Sequence, residues 1–244
     1  MKDLHSHILF GIDDGCDNLQ ESIKLLKEME KAGTTDLLLT PHYVEDTKYD
    51  CNNADKKLLF EELKVKAKME NIHINLYLGN EVFFTSEFLK YLKEGQIRTL
   101  NNSKYLLFEL PVSNIYSNTL EVLQQLTMNG CVPVLAHPER YLSIQKNPNS
   151  IVEFLRAGIL LQGNLTSLFG KYGKDAEKTL KFLLKNKLIS FLGSDTHHEV
   201  KYHEKKLEKE LMKITKDKEY VQDLLYRNFD KVINDEDIPI INVR

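Results

Sequence analysis

The chain begins Met1-Lys-Asp-Leu-His-Ser-His-Ile-Leu-Phe-Gly-Ile-Asp-Asp-Gly15. Residues 2–7 read as a short β-strand ending in two histidines that flank a serine, with two aspartates and a glycine following. Neither a Gly-rich dinucleotide fingerprint nor a Walker loop follows this first strand, which argues against a nucleotide-binding open sheet. Downstream, β-rich runs at 36–42, 74–82, 105–110, 132–137, 159–164 and 188–195 alternate with segments of helical period. In the helical segment 18–32, for example, Leu19, Ile23, Leu26 and Met29 form one apolar stripe and Gly33 is a stop signal. A second such segment, 118–129, precedes Gly130.

Alternation of this kind implies crossover connections and a parallel sheet. Seven βα units without a Pro- or Ser-rich linker favour one α/β domain spanning 1–244, closed or nearly closed into a barrel. An open doubly wound sheet is the alternative. The Lys- and Glu-rich C-terminal stretch reads as closing helices with a solvated face.

With 244 residues, 42% hydrophobic, 28% charged and a net charge of −3, the composition is that of a soluble globular protein with no general attraction to nucleic acid or anionic lipid. No secretory signal and no apolar run of the roughly 18 residues needed to span a bilayer is present. A cytoplasmic protein that is not itself a membrane protein is expected. Cys16, Cys51 and Cys131 lack CxxC spacing, which argues against a disulfide framework or a zinc cluster. A thiolate phosphatase would need an arginine six positions after its cysteine, but those positions hold Ser22, Lys57 and His137.

Every strand except the sixth ends in metal-capable or acidic residues: His5 and His7, then His42, Glu81, Glu109, His137, and finally Asp195 with His197. Strand C-termini of a parallel barrel converge on one face, and residues i and i+2 of a strand point the same way. Eight candidate ligands exceed what one ion takes, so two or three divalent ions are expected. Mixed imidazole and carboxylate donors suit Mn, Fe or Zn. Arg140 offers a planar donor fork for a phosphate or carboxylate. Asp14 is preferred as an additional ligand or a residue orienting one; the role of Asp13 stays open between the site and a turn.

The motifs His5-Ser-His-Ile-Leu-Phe-Gly-Ile-Asp-Asp-Gly15, Thr40-Pro-His-Tyr43, Gly79-Asn-Glu81, Phe108-Glu109, Ala136-His-Pro-Glu-Arg-Tyr141 and Gly193-Ser-Asp-Thr-His197 resemble those of the PHP superfamily of metal-dependent hydrolases. The resemblance is strongest to the bacterial protein-tyrosine phosphatases associated with capsular and exopolysaccharide synthesis. It implies a distorted seven-stranded (β/α)7 barrel of the PHP type and a trinuclear centre, Mn first, with Fe, Zn, Co or Mg as alternatives. The implied substrate is the phosphotyrosine-bearing tail of a cognate bacterial tyrosine kinase.

Carried over by position, His5, His7, His42, Glu81, Glu109, His137, Asp195 and His197 would be metal ligands, and Arg140 would hold the phosphate. The implied reaction is direct hydrolysis without a phosphoenzyme. His42 and His137 are candidate proton donors to the leaving group where they are not committed as ligands. Two positions depart from the family. Phe10 stands where proline is common, and beyond His197 a further arginine is missing, so Lys201 is the candidate substitute in binding substrate. Histidinol phosphate or another small phosphoester is the alternative substrate class. An amidohydrolase would have a metal-bridging lysine where Glu109 stands, and a non-catalytic module would have lost ligands.

Overall fold

The computed structural model describes residues 1–113, 115–239 and 241. Helix α1 (Leu19–Ala32) forms where its apolar stripe was read, because both ends are capped. Asn18 accepts the Glu21 N–H, and Gly33, at φ 102°, donates to the carbonyls of Met29 and Glu30. Its buried face carries Ile23, Leu25, Leu26 and Met29. The helix expected at 118–129 forms over Thr119–Met128.

Among the described residues the strands are β1 (Lys2–Asp3), β2 (Asp36–Leu39), β3 (His42–Tyr43), β4 (Asn75–Leu78), β5 (Glu81–Phe83), β6 (Tyr105–Glu109), β7 (Val132–Ala136), β8 (Leu160–Asn164) and β9 (Phe191–Gly193). All pairings are parallel, in a three-stranded sheet ordered β1-β2-β4 and a six-stranded one ordered β3-β5-β6-β7-β8-β9. Seven strands were expected; the runs 36–42 and 74–82 each appear as two segments, which makes the seven runs nine segments. Pro41 supplies no N–H to a ladder. At Gly79 a Cβ would lie 2.8 Å from the Leu100 side chain. The broken strands step from one sheet into the other, so that His42 pairs in register with Glu81.

The six-stranded sheet curls until its last strand meets the first segment of the chain. Asp195 N–H donates to His5 O at 2.9 Å, His7 N–H donates to Thr196 O at 2.9 Å, and Ser6 bridges Thr196. This contact needs Gly193, since a Cβ there would sit 2.5 Å from the Cβ of His5.

Alternate side chains of each strand go to two different cores, as the period of two requires. Leu4, Leu38, Tyr105, Leu107, Val134, Ala136, Leu160 and Phe191 form one apolar cluster, which Phe229 and Val232 join. Their neighbours Leu37, Leu39, Leu106, Phe108, Leu135, Leu161 and Leu192 join the larger cluster with α1. On β6, β8 and β9 the side that carries the first cluster continues into the chemistry, whereas His5, His7 and His137 are out of phase with Leu4 and Ala136. Glu109 follows Leu107 by two residues, and Gln162 and Asn164 follow Leu160 by two and four. No helix of the described residues is long and apolar enough to cross a membrane.

Candidate metal centre

The strand ends bring all eight expected donors together, with Asp14 at the edge. Glu81 sits at the middle. Its Oε2 lies 3.1 Å from His5 Nε2, 3.2 Å from His7 Nε2 and 3.2 Å from His42 Nδ1, and its Oε1 lies 2.9 Å from His137 Nε2. Glu109 approaches His42 Nδ1 at 3.5 Å and His137 Nε2 at 3.7 Å. Asp195 Oδ1 lies 3.4 Å from His197 Nδ1 and 3.5 Å from His7 Nε2. Asp14 Oδ1 spans His42 Nε2 at 3.5 Å and His197 Nε2 at 3.4 Å.

Three donor groups emerge whose atoms lie within 4.8 Å of one another: His7, Asp14, His42 and His197; His5, His7 and Glu81; and His42, Glu81 and Glu109. The shared members make them neighbouring positions in one cluster. The donor chemistry fits divalent cations, and so do the orphaned atoms. Despite these close approaches, buried Glu81 Oε2, His42 Nδ1 and His137 Nδ1 have no partner in hydrogen-bond geometry among the described residues. A buried polar atom left so is costly unless something else pairs with it.

A second layer fixes the orientation of these groups, and most of it escaped the sequence reading. Asp13, whose role the sequence left open, accepts from His7 Nδ1 at 2.8 Å and from the His42 and Gly15 amides at 2.9 and 3.0 Å. It therefore turns the chain and sets the His7 tautomer together, while Asp14 projects outward beside the donors. Gly15 is required here, because a Cβ would collide with the His7 carbonyl at 1.7 Å.

Strand β8, which ends without a metal-capable residue, supplies amides. Gln162 Oε1 accepts from His5 Nδ1 at 2.8 Å, and Asn164 Nδ2 donates to Asp195 Oδ2 at 2.8 Å. Tyr172 Oη donates to the same oxygen at 2.9 Å, as does Arg140 Nη1 at 3.0 Å, and the Arg140 guanidinium lies over the Tyr172 ring at 4.5 Å. A signal for Gln162 and Asn164 did exist, since both continue the inward side of β8 at i+2 and i+4 from Leu160.

His137 and Asp195 adopt left-handed backbone conformations, φ 35° and 51°. For residues other than glycine such strain persists where surrounding structure over-determines it, commonly at functional sites. After His137 the chain enters a short 3-10 turn, Pro138–Arg140, that aims Arg140 back over the cluster. Lys201 is half exposed and ion-paired with Glu199. Lys171, not singled out from sequence, lies 5.0 Å from the Tyr172 ring centroid.

The charges balance only collectively. Burial works against the Glu81 anion, yet His5, His42 and His137 hold its carboxyl well below the usual range. Glu109 goes the other way, pushed well up by burial and by the Glu81 charge. Burial lowers His42 to about 4, helped by the His7 charge, and lowers His137, helped by Arg140. Both are thus neutral near pH 7, the state in which imidazole coordinates metal. Burial also opposes the His7 cation, but the Asp13 and Glu81 carboxylates together outweigh it and raise His7 well above its ordinary value, so a metal bound there would displace a proton.

The sequence profile of a family described as "Capsular polysaccharide synthesis, CpsB/CapC" matches residues 1–234. CapC of Staphylococcus aureus is 34% identical over 198 residues, covering 81% of this chain and 77% of CapC. Tyrosine-protein phosphatase CpsB of Streptococcus agalactiae is 30% identical over 206 residues, covering 81% of this chain and 83% of CpsB. A solved structure, described in work on YwqE from Bacillus subtilis and CpsB from Streptococcus pneumoniae as "unique metal-dependent tyrosine phosphatases", superposes with a TM-score of 0.89 at 28% identity, over 98% of this chain and 96% of that one. The phosphotriesterase homology protein of Escherichia coli superposes at TM-score 0.52 and 10% identity over 95% of this chain and 96% of its own, a likeness of fold alone.

Proposed function

Because the chain belongs to the CpsB/CapC family of capsular polysaccharide synthesis, we propose that it is a metal-dependent protein-tyrosine phosphatase. Its substrate in this reading is the phosphotyrosine-bearing tail of a bacterial tyrosine kinase acting in capsular or exopolysaccharide synthesis. The observation that carries the reading is the convergence of His5, His7, His42, Glu81, Glu109, His137, Asp195 and His197 on one cluster, with Arg140 beside it. The relatives named tyrosine-protein phosphatases point the same way. We read these eight residues as ligands of two or three divalent ions, Mn first, with Asp14 as a further ligand at the rim. We also read the two sheets as one distorted seven-stranded PHP-type barrel in a single cytoplasmic domain over 1–244. The joining of β9 to the first segment supports this.

When bound, the ions would lower the pKa of water toward neutrality and withdraw charge from the phosphoryl group. Arg140 is held by Asp195 and Tyr172 with its fork partly open, its side chain 27% exposed, so it can neutralise phosphoryl oxygens. Asp13 and Gln162 hold His7 and His5 with their Nε2 atoms toward Glu81. The leaving phenolate has an ordinary pKa of about 10 and needs charge stabilisation or a proton. The depression of His42 and His137 favours their role as ligands over that of donors.

The test combines elemental analysis of purified protein with an aryl phosphate assay before and after chelation and Mn addition. Phosphotyrosine peptide should be preferred over histidinol phosphate. Activity that survives chelation, or a preference for histidinol phosphate, overturns the reading.

A further inference from the structure

The two walls of the cleft carry opposite charge. On the β7–β8 side stand Arg140 and Lys171, 4.5 and 5.0 Å from the Tyr172 ring centroid, while Lys201, beyond β9, is ion-paired with Glu199. On the β3–β5 side lies a cavity of about 440 Å³ lined by Val44, Glu45, Asp46, Phe84, Thr85 and Tyr116, among others. The Phe84 and Tyr116 rings stack there with centroids 5.5 Å apart. Thr85 Oγ1 donates to Glu45 Oε2 at 3.1 Å, and Tyr91 Oη donates to the other carboxylate oxygen, so Glu45 is held in place. Asp46 is exposed at the mouth.

The cavity adjoins the ligand cluster. The Phe84 amide donates to the Glu109 carbonyl at 2.9 Å, and Asp46 follows His42 by four residues, roughly 13 Å of extended chain at most. Consecutive residues of a bound peptide advance up to about 3.5 Å each, so positions one to three away from a phosphotyrosine at the cluster can reach it.

We propose that this cavity is a subsite for a basic residue, lysine or arginine, flanking the phosphotyrosine. The inference rests on the phosphatase reading above. The long apolar stem of such a side chain would lie against Phe84 and Tyr116, with its cationic head meeting Asp46 and Glu45. The phosphate would face the cationic wall across the cleft. An acidic flanking residue would meet like charge here, and that sets specificity.

The experiment compares Mn-loaded protein on two phosphotyrosine peptides that differ only in Arg or Glu at positions one to three from the phosphotyrosine, with p-nitrophenyl phosphate as the small substrate. The Arg peptide should show a KM about tenfold lower, a preference that shrinks with added salt. Asp46→Asn, which keeps a residue tolerant of the φ of 55° found there, should erase most of the difference. Asp46→Lys should reverse it, Tyr116→Ala should raise KM for the Arg peptide, and p-nitrophenyl phosphate turnover should stay unchanged in all three. Equal KM values for the two peptides, or a preference indifferent to Asp46, overturn the subsite. Failure to hydrolyse any aryl phosphate would instead strike the phosphatase reading. In that event fluorescence anisotropy of the same labelled peptides still decides the subsite, through the Arg-over-Glu preference and its loss in Asp46→Asn.

Discussion

The ligand cluster has a floor and a rim, and they are built differently. On the floor, the side chains of His5, His7, Glu81, His137 and Asp195 are at most 2% exposed. On the rim, His42, Glu109, His197 and Asp14 are 13, 16, 23 and 53% exposed. Among the floor groups, His5 is held by Gln162, His7 by Asp13, and Asp195 by Asn164, Tyr172 and Arg140. Asp14 pairs with the imidazoles of His42 and His197 at 3.5 and 3.4 Å, and among the described residues no backbone group hydrogen-bonds its carboxylate. Buried charges can stand together only when each is paired, so the floor is preorganised and intolerant. The rim, open to water, can adjust to a substrate.

The broadest break is removal of the metals. Chelation of the Mn-loaded protein should abolish aryl phosphate hydrolysis, and added Mn should restore it. Thiol alkylation should leave it intact, because Cys16 and Cys131 are buried and burial pushes their thiols up to about 11 and about 12.

Next in size is Glu81→Gln, which takes one charge from the centre of the floor. A loss of about 10³-fold in kcat/KM is expected, with the fold retained by circular dichroism. A loss below tenfold would mean that the floor does not organise the chemistry.

Asp13→Asn keeps the shape but offers His7 Nδ1 a weaker and ambiguous partner. About 10- to 100-fold in Mn affinity or activity should be lost, read by Mn titration of the variant. Asp14→Asn touches the rim alone and should cost less than about tenfold, appearing mainly at limiting Mn. Should Asp14→Asn cost as much as Glu81→Gln, the distinction between floor and rim collapses.

The smallest effect concerns stability. Buried Glu139 accepts from Ser167 Oγ and the Asn164 amide, and burial raises its carboxyl to about 7. Between the unfolded value of about 4.5 and about 7 the folded state holds the extra proton. Its contribution is therefore complete below that window and lost as pH rises through it. Urea unfolding of chelated protein at pH 5 and pH 7.5 should show a fall in stability that Glu139→Gln flattens. An equal slope in the variant would assign the pH dependence to other groups.

Much of this was legible in the chain. The helix at 18–32 was readable because its stripe and both caps are local, and the strand ends because an apolar run closed by a histidine or carboxylate announces itself. What stayed hidden depends on distant partners. Pro41 breaks β2 from β3, yet the step between sheets is visible only when Glu81 pairs with His42. Asp13 and Asp14 are adjacent and chemically alike, and only the position of the His7 ring makes one an inward anchor and the other a rim group.

By itself the sequence determined which donor types arrive at which strand ends, because the period of two and the direction of a parallel strand fix those positions locally. Tertiary structure decided the rest: the curl that closes β9 onto the first segment, the left-handed turns at His137 and Asp195, and the recruitment of Gln162 and Asn164. Each of these is a through-space pairing between segments up to about 190 residues apart, such as Asp195 with His5. No local pattern encodes such a pairing until the apolar layers on either side of the strands have packed and brought the partners together.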